Sequence, residues 1–186
     1  GAITEEQCMS YTEKLLGIPE LIEKILEKPE TCQFAASRLV ADEHLLYIGR
    51  GLDYALSMEG SLKLKEISYI HSESYAAGEL KHGTISLITE DMPVIAVATQ
   101  RDVLDKTVSN IKEVKSRGAF TIVVTREGTD FDKDVADILV TVPETDDLLM
   151  PMTAVVPLQL IAYYTADLRG NDVDKPRNLA KSVTVE

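Results

Sequence analysis

The sequence contains little cysteine, no excess of positive charge and no long apolar run. Its two cysteines, Cys8 and Cys32, form no CxxC motif and have no histidine at the spacing of a zinc ligand. We therefore predict two buried, reduced thiols rather than a metal site or a disulfide, which fits a reducing cytoplasm.

The charge balance argues against two classes of partner. The formal net charge is -12 at pH 7, whereas nonspecific binding to nucleic acid or to an anionic membrane surface requires a basic patch. No apolar run approaches the roughly 18 residues of a transmembrane helix, and no signal peptide is recognised. We expect neither nucleic acid nor a membrane as partner. Because the first residue is Gly1 rather than Met, we also expect an excised piece of a longer protein.

Helices and strands alternate along the chain. Its 186 residues, 45% of them hydrophobic, can bury one α/β core. Periodicity and breaker residues predict helices over residues 5–16, 19–27, 31–41, 54–70, 77–81, 102–117 and 153–168, and strands over 44–48, 72–75, 94–98, 120–124 and 138–142. This alternation predicts an α/β fold in three layers (α/β/α), with a doubly wound parallel five-stranded sheet in the flavodoxin-like order 2-1-3-4-5. We expect residues 1–43 to form a helical lead-in, 44–170 the domain and 171–186 a C-terminal tail.

A short turn, Gly49-Arg50-Gly51, follows the first predicted strand. In a doubly wound sheet the default ligand site is the crevice beyond the carboxyl ends of the strands, where this turn lies. The turn lacks the third glycine of a dinucleotide-binding motif, so an ordinary tight turn explains it as well. Asp53 is predicted to cap the helix that follows.

Three charged residues interrupt the apolar face of the helix predicted over residues 54–70. With about 100° between successive residues, Glu59, Lys63 and Glu66 fall in the middle of an apolar arc roughly 180° wide. The opposite face carries serines, at Ser57, Ser61 and Ser68. The pattern therefore predicts that the serines meet water and the charges meet the core.

Two explanations fit this charged stripe equally well. The i,i+4 and i,i+3 spacings allow a mutual ion-pair network. Alternatively, partial burial raises the pKa of a glutamate and lowers that of a lysine, which suits Lys63 and Glu66 to proton transfer near neutral pH. Because Glu66 lies about 20 Å along the helix from Asp53, a site that uses it cannot be the crevice alone. We expect a composite site at an interface with another domain or subunit.

The histidines are weaker candidates. His44 opens a strand and is expected to be structural, while His71 directly follows the charged helix and is expected to pack or cap. His82 lies in a polar turn and is the better acid–base candidate, although composition alone favours an ordinary surface histidine. Residues 171–186 have no helical period and would ordinarily fray.

Two long motifs resemble a known family. The run GSLKLKEISYIHSESYAAGELKHG at residues 60–83 and the ending DKPRNLAKSVTVE at residues 174–186 are similar to the C-terminal sugar-isomerase (SIS) subdomain of the glucosamine-6-phosphate synthases, the isomerising glutamine:fructose-6-phosphate aminotransferases. The resemblance covers essentially the whole chain. It rests on these motifs rather than on the fold, which hosts many functions.

The resemblance implies roles for the candidate residues. Glu66 matches the general base that moves a proton between C1 and C2 of the open-chain sugar, and Lys63 matches the lysine that stabilises the developing enolic oxygen. Lys181 matches the tail lysine that attacks the C2 carbonyl as a Schiff base, and Ala180 would offer backbone contacts to the sugar, so the tail would fold over it. His82 matches the histidine that opens the furanose ring in the neighbouring subunit's site, which implies a homodimer.

The resemblance also implies what else the reaction needs. In this family the ammonia comes from an N-terminal glutaminase domain, and a Ser/Thr-rich loop of a first SIS subdomain largely holds the sugar phosphate; neither occurs in residues 1–186. We expect a piece of a cytoplasmic enzyme that is inactive by itself, and no metal or organic cofactor is implied. Two alternatives stay open: an SIS-type deaminase or deglycase of amino-sugar phosphates, and a noncatalytic sugar-phosphate sensor, which would have no use for both Glu66 and Lys181.

Overall fold

Five parallel strands form one sheet in the computed structural model, which describes residues 2–132 and 134–179. The strands are β1 (His44–Gly49), β2 (His71–Ala76), β3 (Pro93–Ala98), β4 (Phe120–Arg126) and β5 (Ile138–Val142). Their order is β2-β1-β3-β4-β5, and every pairing is parallel. The predicted doubly wound fold and its strand order are confirmed.

Helices cover both faces of this sheet. In the described part of the chain they are α1 (Glu5–Leu16), α2 (Ile18–Leu26), α3 (Glu30–Leu39), α4 (Leu52–Ser68), α5 (Leu104–Lys115) and α6 (Met150–Leu168). Helices α3, α4 and α6 share one core with the sheet. On the other face, α5 shares a second core with a 3-10 segment, Ala77–His82. Among the described residues, no helix has the length and apolar character needed to cross a membrane.

The strands differ in composition according to their place in the sheet. All six residues of β3 are buried, and its sequence PVIAVA is a continuous apolar run because helices cover both faces. The edge strand β5 alternates buried and exposed residues. The other edge strand, β2, has the polar sequence HSESYA, which explains why its hydrophobic signal is weak.

The prediction of two buried thiols is wrong for Cys8. Cys32 is buried, and burial raises its pKa to about 11, but Cys8 is exposed. Helix α1, which carries Cys8, buries none of its residues. An ion pair of 2.8 Å between Lys14 and Asp146 attaches this helix to the rest of the molecule. Because α1 buries no residue, nothing in the described part of the chain covers the thiol of Cys8.

The prediction that Asp53 caps α4 is also wrong. The helix begins at Leu52, with Gly51 at the N-cap. Asp53 is fully buried, and its carboxylate accepts hydrogen bonds from the backbone N–H groups of Thr99 (2.7 Å) and Gln100 (3.0 Å). Burial raises the pKa of Asp53, while these hydrogen bonds favour its charged form. The residue thus ties the start of α4 to the loop after β3.

The two faces of α4 are oriented opposite to the prediction. The buried face consists mostly of small residues, with Ser57, Gly60, Ser61, Leu64 and Ser68 among them. On the outward face, Met58 and Leu62 are 46% and 42% exposed. A Cβ atom at Gly60 would lie 2.9 Å from the ring of Tyr47 and 3.0 Å from Leu158. Helix α4 therefore lies too close to β1 and α6 for larger side chains at that position.

The buried serines of α4 are satisfied by hydrogen bonds within the fold. The hydroxyl of Ser57 donates to the carbonyl of Asp53 (2.7 Å), one turn earlier in the helix. The hydroxyl of Ser72 in β2 donates to the carbonyl of Ser61 (2.8 Å), and the two serine oxygens lie 2.9 Å apart. Since a hydrogen-bonded hydroxyl can be buried at little cost, the serines face the core and the charged stripe faces outward.

Candidate functional site

An ion pair on the outward face of α4 forms the centre of the candidate site. The ammonium of Lys63 lies 2.8 Å from the carboxylate of Glu66 and 3.9 Å from that of Glu59. The side chains of Lys63 and Glu66 are 35% and 29% exposed, so both are open to a ligand. The hydrogen bond from Lys63 to Glu66 raises the pKa of the lysine, which corrects the prediction that burial lowers it. Lys63 is therefore held in its charged form.

This pair lies far from the crevice at the carboxyl ends of the strands. Helix α4 runs from the turn after β1 back to the start of β2, and its 17 residues extend about 25 Å. Glu66 is in the last turn, beside the amino end of β2. The sequence-based prediction that Glu66 does not belong to the crevice agrees with this placement.

The surface around the pair is apolar. Met58 and Leu62 flank it and stay exposed among the described residues, and Ala55 is exposed on the same face. Large exposed apolar side chains that surround a pair of charges are typical of a surface that meets another domain, subunit or ligand. The arrangement can present a carboxylate and an ammonium together to a polar substrate.

The described part of the tail packs against the C-terminal end of α4. The side-chain amide of Asn171 donates to the carbonyls of Ile67 (3.0 Å) and Ser68 (3.3 Å). Further along, the guanidinium of Arg177 lies 4.0 Å from the centre of the Tyr69 ring. The tail thus approaches the end of the helix that carries Glu66. Ala180 and Lys181, the other predicted site residues, lie outside the described residues.

His82 is not brought to the pair within one chain. It is exposed at the end of the 3-10 segment Ala77–His82, and its Nδ1 atom lies 2.8 Å from Glu79. That segment packs with α5 on the face of the sheet opposite to α4, and Lys81 forms an ion pair with Glu113 of α5. The sheet therefore separates His82 from Lys63 and Glu66. That His82 acts in a neighbouring subunit stays a prediction.

His44 and His71 lie side by side at the amino ends of β1 and β2. Their rings are 5.6 Å apart in an edge-to-face arrangement, and both begin paired strands. They line a cavity of about 640 Å³ together with Glu73 and Asp91. Both histidines are exposed, His71 to 67% of its side chain, so this edge-to-face contact is one between surface residues.

The crevice beyond β3 and β4 is lined by charges that are already paired. The side chain of Arg126 is 4% exposed, lies 2.8 Å from Glu144 and also bonds Asp147. Arg101 bridges the same two carboxylates. Since both guanidinium groups are neutralised, this crevice of about 470 Å³ is a poor site for an anion.

Sequence reasoning missed Tyr69, Asn171 and Arg177. Asn171 directly follows Arg169 and Gly170, which end α6, and Tyr69 lies inside the charged-helix motif. Both residues are therefore adjacent to features that the sequence analysis recognised. Their contacts join residues more than a hundred positions apart. Local periodicity contains no signal for such a pairing.

Comparisons with known proteins identify the domain family of the chain. The family model of the SIS domain matches residues 38–168. The chain is 51% identical to a protein of Clostridium acetobutylicum named glutamine–fructose-6-phosphate aminotransferase (isomerizing), and 52% identical to the protein of that name from Clostridium tetani. Each of these matches covers 100% of this chain and 31% of the relative.

A solved structure is similar over most of the chain. It is the C-terminal domain of glucosamine-fructose-6-phosphate aminotransferase from Francisella tularensis, with 38% sequence identity and a TM-score of 0.86. The similarity covers 93% of this chain and 49% of that one. With a family match that spans most of the sequence and a sheet of the expected order, the chain belongs to the SIS domain family.

Proposed function

We propose that this chain is the second SIS subdomain in the isomerase half of an isomerising glutamine:fructose-6-phosphate aminotransferase. In that reaction glutamine and water give glutamate and ammonia, and ammonia and fructose 6-phosphate give glucosamine 6-phosphate and water. Relatives that share about half of its residues carry this enzyme's name. Because the chain spans 31% of their length, the remaining domains would supply the ammonia and the phosphate-binding loop, and the chain alone would be inactive.

The observation that carries the proposal is the Lys63–Glu66 pair on the outward face of α4. A partly exposed carboxylate can exchange a proton with a bound sugar, and an ammonium 2.8 Å away can stabilise negative charge on the sugar oxygen. In the proposed mechanism Glu66 takes a proton from C1 and returns it to C2. Lys63 stabilises the enolic oxygen while the proton is in transit.

Lys181 is the proposed nucleophile. Its amine attacks the C2 carbonyl of the open-chain sugar, and loss of water gives an imine. Ammonia then replaces the lysine at C2 and frees its amine, before the proton moves from C1 to C2. The contacts of Asn171 and Arg177 with the end of α4 support this role, because they lead the tail towards Glu66. Ala180 would contact the sugar through its backbone.

A homodimer would complete the site. His82 would open the furanose ring in the site of the neighbouring subunit, and its separation from Glu66 by the sheet supports a role in a second copy rather than its own. The apolar surface that includes Met58 and Leu62 would then be covered by the first SIS subdomain or by the partner. We divide the chain into a lead-in (1–43), an SIS domain (44–170) and an active-site tail (171–186), within a cytoplasmic enzyme.

The test uses the full-length enzyme that contains this chain. Glucosamine 6-phosphate formation from fructose 6-phosphate and glutamine is measured for wild type, Glu66→Gln and Lys181→Ala. Loss of a general base is expected to lower kcat by about 10³-fold, and Lys181→Ala is expected to abolish turnover. Lys65→Ala, an exposed substitution on the same helix, is the matched control and should retain wild-type kcat. Full activity in both site variants would contradict the mechanism.

Two further measurements separate the alternatives. Glutamine-independent deamination of glucosamine 6-phosphate as the dominant reaction would favour a deaminase. Calorimetry of this chain alone with fructose 6-phosphate should show no tight binding. Micromolar affinity would mean that a phosphate site lies within these residues and would favour a sensor.

A further inference from the structure

We propose that Tyr69 and Arg177 form a clasp that positions the C-terminal tail for catalysis, an inference that rests on the proposed function of Lys181. Two independent contacts join these residues. The hydroxyl of Tyr69 accepts a hydrogen bond of 2.9 Å from the backbone N–H of Arg177. The guanidinium of Arg177 lies over the ring of Tyr69, 4.0 Å from its centre. Both are positioning residues and contact no reacting atom.

The backbone of Tyr69 is shaped for this contact. Tyr69 is the C-cap of α4 and has a φ of 64°, a left-handed conformation that is unusual for any residue other than glycine. A large aromatic residue would ordinarily be disfavoured here, where helices commonly end in glycine. Its ring and hydroxyl, however, both make contacts with Arg177. We infer that the aromatic side chain is used at this position because the tail docks on it.

A second anchor holds the beginning of the tail. The side-chain amide of Asn171 donates to the carbonyls of Ile67 and Ser68. As carbonyls of the last helical turn, these have no hydrogen-bond donor within the helix. Asn171 and Arg177 therefore attach two points of the tail to the same helix terminus. The segment between them is therefore attached to the end of α4 at both of its own ends.

The clasp limits how far Lys181 can be from Glu66. Tyr69 follows Glu66 by three residues, and Lys181 follows Arg177 by four. Four residues of extended chain span at most about 14 Å, so the tether between a docked Arg177 and the proposed nucleophile is short. Release of the clasp moves the tether point back to Asn171, which is ten residues before Lys181.

Such a tether acts on rate through effective concentration. An amine held beside its carbonyl reacts as an intramolecular group, and small losses of position lower the rate strongly. A hydrogen bond and an exposed cation–π contact together favour the docked tail about tenfold.

The experiment measures kcat, KM and thermal stability in the full-length enzyme, together with borohydride trapping of the imine between Lys181 and fructose 6-phosphate. Tyr69→Leu removes both contacts and should lower kcat and the trapped fraction about tenfold, with an unchanged Tm. Arg177→Ala removes only the cation–π contact, because its backbone N–H still donates to Tyr69, and should lower both about threefold. Tyr69→Phe keeps the ring and should lose about threefold. Arg177→Lys should be less active than wild type, because an ammonium group is not planar and cannot stack on the Tyr69 ring as a guanidinium does. Lys175→Ala, the same loss of charge in an exposed residue of the tail, is the control and should match wild type.

Each outcome distinguishes the clasp from the mechanism on which it rests. A lowered Tm with unchanged kcat and trapping would mean that the contacts are only structural and would overturn the clasp. Wild-type trapping in the clasp variants, with no trapping in Lys181→Ala, would overturn the clasp and leave the proposed function intact. Trapping that survives Lys181→Ala would overturn the assignment of Lys181 itself.

Discussion

Helix α4 has one face in the protein interior and another on its surface, and the two faces differ in residue size more clearly than in hydropathy. The inner face carries Gly60 and three serines beside two leucines, Leu56 and Leu64, whereas the outer face carries Met58 and Leu62. The inner face is small because β1 and α6 lie within van der Waals distance of the helix backbone at Gly60. The comparison shows that close approach, with each serine hydroxyl of the inner face paired, can decide which face of a helix is buried.

The same difference separates the polar groups that only stabilise the fold from those of the candidate site. Serine hydroxyls on the inner face bond only to other groups of the fold. Lys63 and Glu66 on the outer face bond to each other and stay partly exposed. Their interaction is therefore open to replacement by a substrate, whereas the inner bonds are not.

The largest effect on stability is expected from a leucine placed on the inner face. Gly60→Leu would push a side chain into the ring of Tyr47 and into Leu158, and overpacking of this kind should cost about 3 kcal/mol. Ala55→Leu introduces the same residue on the outer face and should change the free energy of unfolding by less than about 0.5 kcal/mol. Urea unfolding of this chain measures both. Equal effects would show that the faces do not differ in packing.

A smaller loss is expected from the hydrogen bonds between α4 and β2. Ser61→Ala and Ser72→Ala each leave a partner unpaired in a buried site and should each destabilise the chain by about 1 kcal/mol. The double variant should cost less than the sum of the two, because the partners share their bonds. Ser37→Ala, which removes an exposed hydroxyl bonded to the carbonyl of Phe34, is the control and should be near neutral. Strict additivity would argue against a coupled pair.

The smallest effect is expected on the outer face. Leu62 is 42% exposed, so Leu62→Ala should change the stability of this chain by about 0.5 kcal/mol or less. Leu64 lies two residues further along the helix and is fully buried, so Leu64→Ala should lower the free energy of unfolding by about 3 kcal/mol. A large loss at Leu62 in chemical denaturation of the isolated chain would restore the orientation that hydropathy alone suggests.

The fold was predictable because its signals are local. The strands 94–98, 120–124 and 138–142 stand out as apolar runs between polar turns, and the structure has strands at all three. Helices α1 and α6 end where breaker residues predict. The buried Asp53 was less predictable, because an acidic residue at the start of a helix fits a cap equally well, and only the loop after β3 supplies its real partners.

The candidate site was predictable in part. The spacing of Lys63 and Glu66 is a local property, and their ion pair forms as the spacing allows. The direction in which they face was not predictable, since hydropathy placed the apolar arc inward. The partners of the tail, Tyr69 and Ile67, are remote in sequence from Arg177 and Asn171, so no periodicity could indicate them.

By itself, the sequence determined the alternation of strands and helices, the parallel sheet with its strand order, and a spacing of charges on α4 that allows an ion pair. The helices, the strands and this spacing depend on the order of residues within short stretches, and the sheet follows from their alternation. Only the tertiary structure decided which face of α4 is buried, where Asp53 bonds and where the tail docks. These depend on how closely Tyr47 and Leu158 approach the helix at Gly60, and such distances arise only when segments far apart in the chain pack together.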